Sequence, residues 1–109
     1  MAVGIVEGNV QARWILGPTF SPVLVAANTT AEQTFTLPGL RLTDIIDNVV
    51  KPTAQAGLGI VGYRVSAVDT LAVTFSNNTG AGITPTASEV YKVVVVRPDG
   101  VTLPTSLPR

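Results

Sequence analysis

A chain of 109 residues has the length of one domain, and its seven Lys and Arg balance its seven Asp and Glu. With no positive excess, it lacks the means for a sequence-independent grip on nucleic-acid phosphates. Cysteine and histidine are both absent, which excludes disulfides, thiolate metal sites, the commonest general base and the commonest zinc ligand.

Charged residues make up 13% of the chain against 46% hydrophobic. That balance predicts a domain that covers part of its surface against copies of itself or a larger partner. No stretch approaches the ~18 uninterrupted apolar residues of a membrane-spanning helix. The start carries Glu7 and no early Lys or Arg, so it lacks the basic head of a secretory signal. The expectation is a protein made in a reducing cytoplasm, with neither nucleic acid nor membrane as partner.

Met1 to Pro18 holds scattered apolar residues interrupted by Gly4, Gly8 and Gly17, and reads as an extended arm or one or two edge strands. Trp14, the single tryptophan, either plugs one end of a sandwich or anchors the chain on a neighbour, as interface tryptophans do. Pro18 and Pro22 keep the chain around Phe20 extended. Pro22–Ala26 predicts a short strand, Asn28-Thr29-Thr30 a turn, and Gln33–Leu37 a strand with Phe35 and Leu37 inward, closed by Pro38-Gly39.

Two readings compete over Leu40–Val50. Leu42, Ile45, Ile46 and Val49 fit helical spacing, with Thr43 or Asp44 as a cap. The β-branched run and Pro52 favour instead a strand ending at Lys51. Lys51–Gly59 predicts a loop.

The organising stretch runs from Gly57 to Arg97. Leu71, Val73 and Phe75 alternate with Thr70, Thr74 and Ser76, the period of two that a half-buried pleated strand imposes. Gly59–Val65 has the same character, and Ser66–Asp69 suits a hairpin connection. Asn77–Gly82 is turn-rich, and Ile83–Thr86 returns extended. Val90–Val96 is β-branched at both parities and predicts a strand covered on both faces. Pro98-Asp99-Gly100 is a turn, after which Val101–Arg109 predicts a loosely held tail.

Seven or eight short strands with little helix predict an all-β, antiparallel β-sandwich, jelly-roll-like. Residues 1–18 form its arm or edge strands, 19–98 the sandwich domain and 99–109 a Pro-rich tail. Phe35, Tyr63, Phe75 and Tyr91 are the expected aromatic core.

Several motifs have plainer readings. Gly57-Leu58-Gly59-Ile60-Val61-Gly62 spells the dinucleotide string G-x-G-x-x-G, but a loop precedes it and a β-branched strand follows. The required strand before and helix after are missing, so the glycines mark a bulge or close packing. Asn28-Thr29-Thr30 and Asn77-Asn78-Thr79 fit the glycosylation pattern, yet without a secretory signal they read as turn formers. Asp44 and Asp47 read as a solvated pair rather than a metal or acid/base site. No nucleophile has a marked activating partner, so no enzyme and no cofactor are expected.

From about Thr34 to Arg97 the sequence resembles small structural proteins encoded in the virion gene clusters of tailed bacteriophages. The resemblance rests on Lys51-Pro52-Thr53 with Gln55–Ile60, then Arg64–Ala67 with Asp69-Thr70-Leu71. It continues through Val73-Thr74-Phe75, Asn77-Asn78-Thr79, Ile83–Thr86 and Tyr91. Such proteins look like capsid decoration (cement) proteins.

The resemblance implies a place on the capsid surface, with the major capsid protein and further copies of the chain, as a trimer, for partners. Trp14 and the loops Lys51–Leu58 and Asn77–Pro85 are the candidate contacts, with Lys51, Gln55, Leu58, Asn77, Asn78 and Ile83 singled out. A rival reading is a tail or head-fibre component that binds a host surface glycan.

Overall fold

The structure is a computed structural model that describes residues 8–100 and 102–107. Met1–Glu7, the first part of the expected arm, lie outside the described residues. The strands are β1 (Val10–Leu16), β2 (Thr19–Phe20), β3 (Thr29–Thr36), β4 (Ile45–Val50), β5 (Leu58–Ala67), β6 (Thr70–Asn77), β7 (Glu89–Val90) and β8 (Lys92–Pro98). There is no helix among the described residues. The strands form two three-stranded sheets, β1-β8-β4 and β3-β6-β5, and a two-stranded ribbon, β2-β7. Every pairing is antiparallel.

Alternation places the core. In β6, Leu71, Val73 and Phe75 have no exposed surface. Register sets them beside Phe35, Gln33 and Ala31 of β3 on one side and Val65, Tyr63 and Ile60 of β5 on the other. In β8, Val93 and Val95 lie between Leu16 and Trp14 of β1 and Val49 and Ile46 of β4. Ile46, Val49, Val93 and Val95 of one sheet and Leu71, Val73 and Phe75 of the other belong to one cluster with Phe20, Val25, Leu37, Leu40 and Tyr91. Each fully covered aliphatic or aromatic side chain contributes about 1.5–3 kcal/mol before chain entropy is subtracted, so this layer is the main source of stability.

The ambiguous segment is a strand. β4 ends at Val50, and Arg41–Asp44 forms a hydrogen-bonded turn before it, with the Asp44 amide donating to the Arg41 carbonyl at 2.9 Å. The central hairpin is tighter than its sequence suggests. β5 runs on through Ala67, and Val68-Asp69 alone makes the turn, with Asp69 at φ 59°. Aspartate tolerates that left-handed conformation better than most residues. Its carboxylate also accepts the Gly39 amide at 2.8 Å, tying the hairpin tip to the turn after β3.

The dinucleotide-like glycines do no phosphate work. Gly59 and Gly62 lie within β5, and a bulge between Ile60 and Gly62 pushes Val61 outward.

Beyond Thr29 and Thr30, which open β3 instead of completing a turn, three expectations need correction. Pro22–Ala26 forms no strand, only a single bridge between Val25 and Ile83. The Gln33 side chain sits against this segment instead, its amide donating to the Val23 carbonyl and its carbonyl accepting the Val23 amide, both at 2.9 Å. A side chain thus stands where another strand would pair. Second, Phe20 joins the aromatic core, stacked 4.3 Å from Phe35 and 5.3 Å from Tyr91, while Phe35 and Tyr63 are only partly buried. Third, Asp44 and Asp47 are not a solvated pair, because Asp44 is buried against Arg97.

Candidate interaction surfaces

Three places hold the side chains singled out by sequence. The first lies on the inward face of β1 and β8. Trp14 is 39% exposed, and the Arg97 guanidinium sits 4.7 Å from its ring centroid. That guanidinium makes a two-pronged pair with Asp44, Nε to Oδ1 and Nη2 to Oδ2, both at 2.8 Å, and Nη2 also donates to the Gly39 carbonyl. The Arg97 pairing, helped by the Arg41 amide, holds the Asp44 carboxyl below its ordinary range despite burial. A shallow cleft of about 220 Å³ opens beside Trp14, Leu16, Leu40 and Asp44. The stacked guanidinium already covers one face of the indole, which weakens Trp14 as a platform for a sugar ring.

The second lies under the loop between β4 and β5. The Lys51 and Glu89 side chains are each 9% exposed and stand 2.9 Å apart at Nζ and Oε1. The approach is close but poorly angled for a hydrogen bond, so its contribution is Coulombic. Lys51 Nζ also donates to the Thr53 carbonyl and hydroxyl, at 2.8 and 3.0 Å, and the Thr53 hydroxyl donates to Glu89 Oε2. The Thr53 hydroxyl first, and Lys51 after it, lower the Glu89 carboxyl from its usual value.

Gln55 clamps the far side of this loop. Its Nε2 donates to the Thr84 carbonyl at 3.1 Å and its Oε1 accepts the Thr86 amide at 2.9 Å. Between loop and sheets lies a groove of about 270 Å³, floored by Val49, Leu58, Ile60 and Phe75 and rimmed by Ala54 and Gln55.

The third is the turn after β6. Asn77 is 1% exposed, and its amide is fully used within the chain. Nδ2 donates to the carbonyls of Val25 and Ala81, at 3.0 and 2.9 Å, and Oδ1 accepts the Thr79 amide and hydroxyl, at 2.9 and 2.7 Å. Asn77 therefore organises this turn and offers no surface to a partner. Asn78 is exposed, and half-buried Ile83 exchanges backbone bonds with Val25 at 2.8 and 3.0 Å.

The structure brings Lys51, Gln55 and Leu58 together at one groove, with Asn77, Asn78 and Ile83 on the adjoining turn. Trp14 belongs to the separate Arg97 stack. Sequence reasoning missed Glu89, Arg97 and the groove floor residue Val49. The Lys51–Glu89 ion pair joins residues 38 positions apart, and nothing in local spacing marks it. No group of three acidic, cysteine or histidine side chains able to hold a metal occurs among the described residues. No described helix is long and apolar enough to cross a membrane.

Among the described residues no strand lies beside the outer edge of β1. β1 pairs with β8 on one side and ends its sheet on the other, and Val10, Trp14 and Ile15 are exposed along it, Ile15 at 72%. No family model matches the chain, and neither does any curated protein or solved structure.

Proposed function

We propose that this chain is a non-enzymatic virion structural protein that decorates a bacteriophage capsid and stabilises it by bridging capsomers. The observation that carries the reading is the outer edge of β1, which no other described strand covers. A long edge strand with apolar side chains is a template for another chain, and soluble proteins ordinarily blunt such edges with charge, proline or a covering loop. Here Arg13 is the one charged residue of the strand, and its guanidinium is drawn to Asp47, 3.6 Å away. Strand addition supplies main-chain hydrogen bonds with little demand on sequence, which suits docking on a repetitive shell. A homotrimer would multiply weak contacts, because each contact after the first is intramolecular.

The fold reading that accompanies this is a jelly-roll-like sandwich. β1 pairs with β8, β2 with β7 and β3 with β6, the nested order that results when a long antiparallel ribbon folds over itself. One cluster shared by inward residues of both three-stranded sheets supports face-to-face layers. β4 beside β8 and β5 beside β6 complete the sheets.

Purified protein mixed with undecorated capsids tests the function. Co-sedimentation in a saturable ratio, with capsids that resist heat better, is the expected result, and Trp14→Ala combined with Ile15→Asp weakens it. A protein that ignores capsids and binds host polysaccharide overturns the proposal in favour of the receptor-binding reading, for which the cleft beside Trp14 is the relevant surface.

A further inference from the structure

The groove under the Lys51–Leu58 loop has an apolar floor and no free charge at its rim. The Lys51 ammonium is engaged by two hydrogen bonds to Thr53 and an ion pair with Glu89. Its volume of about 270 Å³ falls below the usual ~300–1,000 Å³ of small-ligand pockets. An apolar cavity of about 150 Å³ already holds a benzene ring, so the space suits one or two aliphatic side chains of a polypeptide.

The same chain carries such side chains without a place for them. Thr102–Leu107 is exposed throughout, with Leu103 at 51% and Leu107 at 88%. The tail repeats Leu-Pro at 103–104 and 107–108 and has no charged side chain before Arg109. Proline holds such a segment extended at low entropic cost, the property exploited wherever apolar grooves capture Pro-rich strands. Exposed leucines in an uncharged tail and an uncharged groove that fits them are complementary.

Position decides whose groove the tail meets. The groove abuts Val50 and Lys51, and Val50 registers with Lys92 at the start of β8. The tail departs beyond Pro98 at the other end of that strand, where the Asp99 amide donates to the Asn9 carbonyl. Seven strand residues separate the two ends by roughly 20 Å. Leu103 lies five residues past Pro98, a reach of at most about 17 Å even fully extended. Leu103 therefore falls short of its own groove, whereas Leu107, with a reach of about 30 Å, does not; a monomeric full chain is the sign of a tail folded back on itself.

We propose that the Leu103-Pro104 segment of one copy seats in the groove of a second copy. Such a contact is head-to-tail, so successive copies close into a ring or run on as a chain, according to the rotation between them. This surface is distinct from the β1 edge and stands whether or not a capsid is the final partner.

Sedimentation velocity of the full chain, of the chain ending at Gly100, and of Leu103→Asp and Ala54→Trp tests it. Among the described residues the tail changes touch only exposed ones, and Ala54→Trp fills the groove from its exposed rim; circular dichroism checks each fold. The expected result is a self-associating full chain and three monomeric variants. Mixing Leu103→Asp with Ala54→Trp restores a dimer, because one intact tail and one intact groove remain. A Val101–Arg109 peptide binds the Gly100-terminated chain and loses roughly tenfold or more in affinity when that chain carries Ala54→Trp.

A monomeric full chain, or association unchanged by truncation, overturns the inference. Loss of capsid binding on truncation of a monomeric full chain overturns it too, since the tail's partner is then the shell. Capsid binding that survives in the monomeric variants leaves the decoration reading intact, so the two proposals fail separately.

Discussion

Replacing Asn77 probes how the turn after β6 is held. Both donors and the acceptor oxygen of its side chain are occupied by Val25, Ala81 and Thr79 at 2.7–3.0 Å. In Asn77→Ala the losses are unequal. The Val25 carbonyl keeps the Ile83 amide and the Ala81 carbonyl keeps the Thr79 hydroxyl, but the Thr79 amide loses the partner shown for it. One orphaned donor costs about 1–3 kcal/mol, and each of the other three bonds about 0.5–1.5, so a total of at least about 2.5 kcal/mol is expected. At about 4–8 °C per kcal/mol for a domain slightly shorter than this one, the midpoint falls by at least roughly 10 °C.

Asn77→Asp separates hydrogen bonding from packing, because shape is kept while two donors become an acceptor facing two carbonyls. Burial and those carbonyls raise the folded pKa of the new carboxyl above its unfolded value of about 4. The protonated form is then favoured in the fold, so the stability the variant retains is present below the unfolded pKa and lost as pH rises through the folded one. Urea unfolding of wild type and variant in parallel at pH 4 and pH 7 measures this, the wild type absorbing the pH response of other groups. A deficit equal at both pH values, or an Asn77→Ala loss under about 1 kcal/mol, would refute the reasoning.

Other perturbations follow from the same coordinates. The Tyr91 hydroxyl is buried without a hydrogen-bond partner, and burial, with Glu89 adding to it, pushes its pKa up to about 12. Tyr91→Phe is therefore expected to leave stability unchanged or raise it by up to about 1 kcal/mol in thermal unfolding, and a clear loss contradicts that. Asp44 and Glu89 are held below their ordinary values, by Arg97 and by the Thr53 hydroxyl. Their stabilisation is present above the unfolded pKa and is lost as pH falls through the folded one, so denaturant midpoints should drop below about pH 4–5, less steeply in Arg97→Met. Gly57 sits at φ 82° where a Cβ would overlap the Thr79 methyl group. Gly57→Ala should cost about 1–3 kcal/mol, and an unchanged melting temperature would show that the turn relaxes freely.

The strands whose own pattern dictates their environment were legible. β6 alternates cleanly enough to name Leu71, Val73 and Phe75 among its buried residues, and the β-branched run of β8, read as covered on both faces, has Val93, Val95 and Val96 buried and Val94 half-buried. Features that depend on distant partners were not. Phe20 lies between prolines with no periodicity to mark it inward, and its burial depends on Phe35 and Tyr91 folding over it. Asp44 looks like any acidic turn residue until Arg97, 53 positions later, arrives beside it. Asn77 falls on the buried parity of β6 in line with Phe75, so strict alternation did point inward. Polarity suggested an exposed turn instead, and the backbone carbonyls that reward burying an amide are invisible in sequence. At the groove, the loop residues stood out, whereas the cavity beneath them is a property of how far β4 and β5 diverge.

The concentric pairing of first strand with last has a cost in time. β5 and β6 meet across a two-residue turn and can zip within microseconds, as short hairpins do, whereas β1 must wait for partners 77 to 88 residues downstream. Long loops close slowly and late, so pulse-labelled exchange should find β6 amides protected well before those of β1. On a ribosome the consequence is stricter, because β8 emerges after all the other described strands. Until then the valines of β8 are missing from the middle of their sheet, and the edges of β1 and β4 that they cover stay open.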